Sequence, residues 1–256
     1  MKRLIKSFLG QLGVEIRLLR NSAKPVVAEA PDASGNIITT TVRDQEIFFF
    51  VADKFDLIQK EHLHGRFYET EELQIIADSF KGGVFIDIGA NVGNHTIYVA
   101  KFLGAKRIIA FEPNPAVIPI LKRNLTLNDL EKIVVHHATG LSNKAGRATV
   151  TIPQSHNLGS ARLVPNDKDG TLELARGDDM LRGEPVDFIK LDTEGTEMQI
   201  LAGLAETIKQ HRPAMFVEVN HQNIPAFIIF TEENNYRVAA SYIRYPGSAN
   251  FLIVPR

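Results

Sequence analysis

A carboxylate, two glycines and an asparagine stand together in Asp87-Ile-Gly89-Ala90-Asn91-Val-Gly93, where the apolar run VFIDIG (84–89) gives way to a helical pattern. Two glycines four apart at a strand-to-helix turn let the backbone bend tightly and lie close against a ligand. The helix that follows presents free backbone N–H groups at its start. The next apolar run, RIIAFEP (107–113), carries Glu112, 23 residues after Gly89. A carboxylate at about that distance can accept both hydroxyls of a ribose. Asp87 is placed to meet an ammonium. No dinucleotide fingerprint G-x-G-x-x-G is formed, because Asn91 stands where the second glycine must admit a pyrophosphate. No P-loop pattern occurs either. What remains is a nucleoside without a pyrophosphate and with a charged tail, a description that S-adenosylmethionine meets.

A second group of reactive residues lies in IKLDTEGTE (189–197). Strand period two puts Lys190 and Asp192 on one face and Ile189 and Leu191 on the other. Asp192 then stands at the carboxyl end of the strand beside the glycine turn, and Glu194 follows in the loop. Glu218, near the end of AMFVEVN (214–220), can converge on the same crevice. Methyl transfer from a sulfonium is an in-line displacement that mainly needs alignment. A hydroxyl acceptor also benefits from a general base, so Asp192, Glu194 and Glu218 are the catalytic candidates. Three carboxylates could instead ligate Mg²⁺, although the reading adopted is metal-free. Glu194 and Glu197 can also serve only the positive start of the next helix, with Lys190 there to neutralise an acid.

Around these, Tyr68 and Glu69 precede a helix start and could close over the cofactor, while Phe67 reads as packing. His62 and His64 read as surface positions. His95 opens the helix after the glycine turn, and its exposure to a pocket is left open. His156-Asn157-Leu158-Gly159-Ser160 sits in a loop suited to acceptor recognition.

From residue 83 apolar runs alternate with helical stretches, which predicts a parallel sheet covered on both faces. The runs are VFIDIG, RIIAFEP, KIVVHHATG (132–140), VDFIKLD (186–192) and AMFVEVN, with RATVTIP (147–153) in a hairpin excursion. YRVAASYI and NFLIVPR, joined by RYPGSAN, predict a closing antiparallel pair. Upstream, IITTTVRDQEIFFFVA (37–52) predicts a hairpin and Thr70-Glu71-Glu72 a helix start, with Leu73, Ile76 and Phe80 as its apolar stripe. Residues 21–36 read as a linker. Residues 1–20 read as an amphipathic helix with basic residues, which would suit packing on the domain, a homodimer contact or a membrane surface. The expected division is an extension over 1–66 and the main domain over 67–256.

The 256 residues carry 29 Lys and Arg against 30 Asp and Glu, a balance unlike the basic footprint of a dedicated nucleic-acid binder. No cysteine occurs, which removes disulfides, thiolate metal sites and thiol nucleophiles and fits a cytoplasmic setting.

DIGANVGNHT, FEPNP, IKLDTEGTE and RPAMFVEV together resemble the FkbM family of S-adenosylmethionine-dependent methyltransferases, over roughly three quarters of the chain. The resemblance implies a Rossmann-like class I methyltransferase fold, mostly parallel and seven-stranded with an antiparallel C-terminal hairpin. It places Asp87, Gly89, Ala90, Asn91 and Gly93 around the methionine part and Glu112, with Asn114 beside it, near the ribose. It also implies O-methylation of a sugar, glycan, polyketide or similar small acceptor. Thr193 stands where the family usually has a small apolar residue. Two readings compete, an NAD-dependent oxidoreductase and a non-catalytic scaffold with a degenerate fold. The missing second glycine opposes the first, and the intact Gly89, Glu112 and Asp192 oppose the second. The D/N-P-P-Y/F signature of some N-methyltransferases does not follow the strand that ends at Asp192.

Overall fold

Turns punctuate runs of buried β-branched and aromatic residues, and the described strands fall into sheets of two, seven and four strands. The computed structural model describes residues 35–151 and 157–256. The segment 1–20 with its membrane or dimer role, almost all of the linker, and His156 lie outside the described residues. The hairpin β1 (Asn36–Val42) and β2 (Gln45–Val51) precedes α1 (Leu57–Leu63) and α2 (Thr70–Ser79). Then β3 (Gly83–Ile88), α3 (Asn94–Phe102), β4 (Ala105–Phe111), α4 (Ile118–Leu127) and β5 (Val134–His137) alternate as expected. After an excursion of β6 (Gly140–Ser142), β7 (Gly146–Thr151), β8 (Arg162–Pro165), β9 (Leu172–Arg176) and α5 (Gly177–Met180), the chain returns with β10 (Phe188–Leu191). It continues through α6 (Glu197–Gly203), α7 (Ala205–His211), β11 (Ala214–Asn220), α8 (Ile224–Glu233), β12 (Tyr236–Tyr242) and β13 (Ser248–Pro255).

The seven-stranded sheet has the order β12-β13-β11-β10-β3-β4-β5. Pairs within β11-β10-β3-β4-β5 are parallel, and β13 runs antiparallel to both β11 and β12. The chain leaves β3 toward β4 and β5 and later returns on the other side through β10, so the strand order reverses between β3 and β10. Ligands of open α/β sheets bind at such a point, outside the carboxyl ends of the strands.

Alternation divides the core into two layers. Ile86, Ile88, Ile189, Leu191 and Val217 face Ile200, Leu201 and Ile208 of α6 and α7 and Phe227 of α8. Phe85, Ile108, Ala110, Phe188 and Phe216 face Leu73 and Ile76 of α2, Ile97 of α3 and Leu121 and Leu125 of α4. Ile47 and Phe49 of the hairpin enter this second layer, so the extension is packed on the main domain from β2 onward. The side chains of Asn124 and Asn128, one turn apart on α4, bind the main chain of β2. Asn124 Oδ1 accepts from Phe50 N at 2.6 Å and Asn128 Nδ2 donates to Phe48 O at 2.7 Å. Asn124 Nδ2 donates to Val92 O at 2.7 Å, which ties the hairpin to the glycine turn.

Two sequence expectations need correction here. The excursion is a separate four-stranded sheet, order β6-β9-β7-β8, in which β7 and β8 form the expected hairpin but β6 and β9 were not foreseen. His62 is not a surface residue. It is fully buried, stacked on Phe49 at 4.1 Å, with Nε2 3.0 Å from Asn94 Oδ1. Burial lowers its pKa to about 4, so it is neutral at pH 7. His64, one helical turn end away, is exposed as expected.

Candidate active site

The turn after β3 is built by backbone conformations that few residues tolerate. Gly89 has φ +81, and a Cβ there would lie 1.9 Å from the carbonyl oxygen of Asp192. Asn91 takes φ 49 and its Oδ1 accepts from Val92 N at 2.7 Å, a local bond that suits asparagine to the left-handed region. Gly93 caps α3 with φ 92. The turn is closed from the next strand. Glu112 accepts from Asn91 N at 2.9 Å through one oxygen and from Asn114 N at 2.8 Å through the other. Each oxygen of an ionised carboxylate keeps capacity for a second donor. Burial raises the Glu112 pKa to about 7.

This turn forms the floor of a cavity of about 510 Å³, within the size range of small-molecule sites. Tyr68, Glu69, Gly89, Ala90, Asn91, Glu112, Asn114, Asp192, Glu194 and Glu218, ten of the twelve expected site residues, line it. His95 also lines it and is buried. Asn157, Leu158, Gly159 and Ser160, from the loop assigned to acceptor recognition, line it too. That loop is held down because Asp56, whose Oδ1 accepts from Ile58 N and Gln59 N at the start of α1, also accepts from Leu158 N at 2.9 Å. Phe67, as expected, is core packing, edge-on to Phe49 and Tyr98.

Asp87 and Gly93 do not line the cavity. Asp87 is fully buried, accepts from Thr96 Oγ1 at 2.6 Å, and has Lys190 Nζ 3.3 Å away. The ammonium that Asp87 meets is therefore the chain's own. The register of the sheet explains this, because Lys190 pairs with Asp87 across β10 and β3 and period two sends both side chains to the same face. Gly93 acts from beneath, where an added Cβ would meet Leu121 at 2.9 Å.

Lys190 Nζ also donates to Gly89 O at 2.7 Å and lies 3.3 Å from Asp192 Oδ2. Burial disfavours its charge, but Asp192, Asp87 and Glu69 outweigh that and raise its pKa. Asp192 and Glu218 lie one residue beyond the paired Leu191 and Val217, so their side chains meet. They hydrogen-bond to each other and hold one proton between them. Lys190 keeps Asp192 ionised below its ordinary value against the effect of burial, while burial and the Asp192 charge push Glu218 up to about 10. Ser248 Oγ donates to Glu218 at 2.7 Å. Glu194 is raised to about 7 by burial and then by Asp192, with Arg162 3.7 Å away opposing. Glu197 is different. It is buried, accepts from Gly195 N and Asn223 Nδ2 at 2.9 and 2.6 Å, and holds the loop at the start of α6. Among the described residues no three His, Asp or Glu side chains gather in a metal-holding arrangement.

Residues that the sequence reading passed over complete the cavity. Asn94 clamps the main chain of Tyr68, accepting from its N and donating to its O, each at 2.9 Å. Tyr245, in the β12–β13 connection, bonds the Tyr68 hydroxyl, and Arg244 binds Glu72 at 2.8 Å, which ties that connection to α2. Asn94 follows Gly93 directly, which is the one sequence cue it offered.

The family model described as Methyltransferase FkbM domain matches residues 87–238. Methyltransferase sdnD of Sordaria araneosa is 31% identical over 173 residues, 54% of this chain and 66% of that protein. The tRNA wybutosine-synthesizing protein 2 homolog of Rattus norvegicus is 30% identical over 122 residues, 46% of this chain and 25% of that protein. The chain thus spans just under two thirds of the first relative and a quarter of the second. The crystal structure of an FkbM methyltransferase from Methylobacillus flagellatus aligns with a TM-score of 0.50 at 16% identity, over 67% of this chain and 44% of that one, a likeness of fold.

Proposed function

The chain belongs to the FkbM methyltransferase family, whose methyl donor is S-adenosylmethionine, and on that premise we propose that it methylates an oxygen, the hydroxyl of a sugar, glycan, polyketide or similar small acceptor. The observation that carries this reading is the convergence of Asp192, Glu194 and Glu218 on one cavity wall, where Lys190 lowers Asp192 and burial raises Glu194 to about 7 and Glu218 further. A hydroxyl must lose its proton as it attacks, and a base whose pKa is near the working pH removes it best. Glu194 meets that requirement. Asp192 is held ionised by Lys190 and takes the Glu218 proton in their shared hydrogen bond, so the pair offers a hydroxyl its remaining lone pairs as hydrogen-bond acceptors.

S-adenosylmethionine, when bound, supplies an electrophilic methyl on a sulfonium. Glu112 is suited to the ribose hydroxyls, since both of its oxygens have acceptor capacity left. Asn114 Nδ2, buried at the same wall, has no partner among the described residues, a donor that a nucleoside would satisfy. Gly89, Ala90 and Asn91 supply backbone beneath the tail, and Tyr68 and Glu69 cover it. Asp87 and Gly93 support the turn from behind. His95 is neutral, its pKa lowered to about 4 by burial and then by Lys190.

No described helix is long and apolar enough to cross a membrane; a cytoplasmic setting belongs to this reading through the cysteine-free composition. The match to a tRNA-modifying protein makes RNA the second acceptor class to test. Methyl-labelled S-adenosylmethionine should be offered with panels of glycosides and polyols, of primary amines, and with unmodified tRNA. Label recovered in a base-stable ether of the first panel is the expected result. Label confined to amines or to tRNA would overturn the O-methylation of a small acceptor.

A further inference from the structure

The charges around the glycine turn are arranged differently from what the strand-end pattern suggests. Lys190 already occupies the Asp87 carboxylate at 3.3 Å, and Thr96 donates to the same group. With 0% exposure and no place on the cavity wall, Asp87 is closed to direct contact with a ligand's cation, although its Oδ1 accepts no hydrogen bond from the described residues. Lys190 is held by three bonds or ion pairs, to Gly89 O, Asp87 and Asp192.

Glu69 is in the opposite situation. Its carboxylate lines the cavity with its side chain only 16% exposed, and among the described residues it receives no hydrogen bond. Its nearest partner is His95 Nε2 at 3.8 Å, which is itself buried without a hydrogen-bond partner and is neutral. The groups that act on Glu69 are Asp192 and Lys190 from the end of β10, Glu72 from α2 and Arg244 from the β12–β13 connection. Burial, then Asp192 and Glu72, raise its pKa to about 8 against the two cations. At neutral pH Glu69 therefore holds its proton in the absence of a cation, and a cation that paired with it would draw it into the ionised form.

The backbone is also held out of its ordinary range. Glu69 has φ 57 and ψ 49, the left-handed region that a glutamate adopts only where its surroundings impose it. The Asn94 clamp and the Tyr245 contact fix Tyr68 just before it, and on the other side Leu73 N donates to Glu69 O at 2.9 Å in the first turn of α2. His62 braces the clamp by bonding Asn94. The fold thus fixes the Glu69 side chain on the cavity wall in a strained backbone, and among the described residues nothing donates a hydrogen bond to it.

We propose that Glu69, rather than Asp87, receives the α-ammonium of the cofactor's methionine tail, and that Asp87 instead anchors the internal cation Lys190. This rests on the S-adenosylmethionine reading of the cavity. Strained residues concentrate where a ligand is gripped, and a charge-assisted bond to a carboxylate is among the stronger ones available.

The test is calorimetric binding, on the full chain, of S-adenosylhomocysteine and of the same molecule lacking only its amino group. Wild type should prefer the amino-bearing ligand by about 10–100-fold, the worth of a hydrogen bond to a charged group. Glu69→Gln should lose that preference, binding S-adenosylhomocysteine about 10–100-fold more weakly and the deamino ligand as wild type does. Unchanged binding of the deamino ligand also shows that the variant is folded. A Glu69→Gln protein that keeps the preference overturns the assignment, and so does one that weakens both ligands equally, which would make Glu69 a structural residue. If wild type binds neither ligand, the cofactor reading itself fails, a separate outcome.

Discussion

A Glu194→Gln enzyme is expected to turn over about 10²–10⁴-fold more slowly than wild type, the usual contribution of a positioned general base. The pH profile carries the sharper signature. Burial and the Asp192 charge raise Glu194 from the ordinary glutamate range to about 7. The base works only when ionised, so kcat/KM of wild type should rise with pH and level off above about 7. In Glu194→Gln that limb should vanish when kcat/KM for the acceptor is taken at saturating S-adenosylmethionine, where Glu69 and Glu112 are already engaged by the cofactor. In Asp192→Asn the limb should persist but move to lower pH, because the negative neighbour that raises Glu194 is gone. A steady-state profile over pH 5–9 checks all three, and a Glu194→Gln enzyme with the wild-type limb and rate would remove Glu194 from the role of base.

Gly89→Ala is expected to be severely damaging, since among the described glycines it combines the closest Cβ clash with a positive φ. The new Cβ would lie 1.9 Å from the Asp192 carbonyl oxygen, and that backbone is fixed because Asp192 N donates to Ile88 O at 3.0 Å. The clash adds to the strain of a non-glycine residue at φ +81. A cost of at least about 4 kcal/mol is expected, a large share of the 5–15 kcal/mol that holds a typical domain together. Gly104→Ala separates the two causes. Gly104 also has a positive φ, +66, but nothing lies within 4 Å of its added Cβ. It should cost only the strain, about 1–2 kcal/mol. Denaturant midpoints of the two variants should therefore differ strongly, and equal midpoints would mean that the turn yields and that Asp192 is not held as described.

Much of this was legible in the sequence because buried parallel strands leave a plain signal. VFIDIG, RIIAFEP, VDFIKLD and AMFVEVN are covered on both faces, so they read as continuous apolar runs between helical stretches, and each became a strand of the main sheet. The glycine turn was legible because its conformations need glycine or asparagine. What escaped is what depends on partners distant in sequence. β6 and β9 are short, and their pairing crosses the whole excursion. IPAFIIFTEE, which forms α8, is apolar on most sides and so shows no clear helical stripe. Asp87 was assigned to a ligand ammonium because its position at the strand end is visible, while the register that sets Lys190 beside it is not. His62 reads as a surface residue because it stands between Glu61 and His64, while the contacts that cover it, the Phe49 ring and Asn94, come from elements distant in sequence.

The central claim, that this cavity binds S-adenosylmethionine through the Glu112-closed turn, is tested most directly by thermal unfolding with S-adenosylmethionine, S-adenosylhomocysteine or NAD⁺, on wild type and Glu112→Ala. At about 100 times the dissociation constant a ligand stabilises by about 2.7 kcal/mol, a rise of about 5–10 °C for a domain of this size. Both sulfur nucleosides should raise the wild-type midpoint, NAD⁺ should leave it in place, and Glu112→Ala should lose the response. A midpoint that moves with NAD⁺, or with none of the three, would contradict the account.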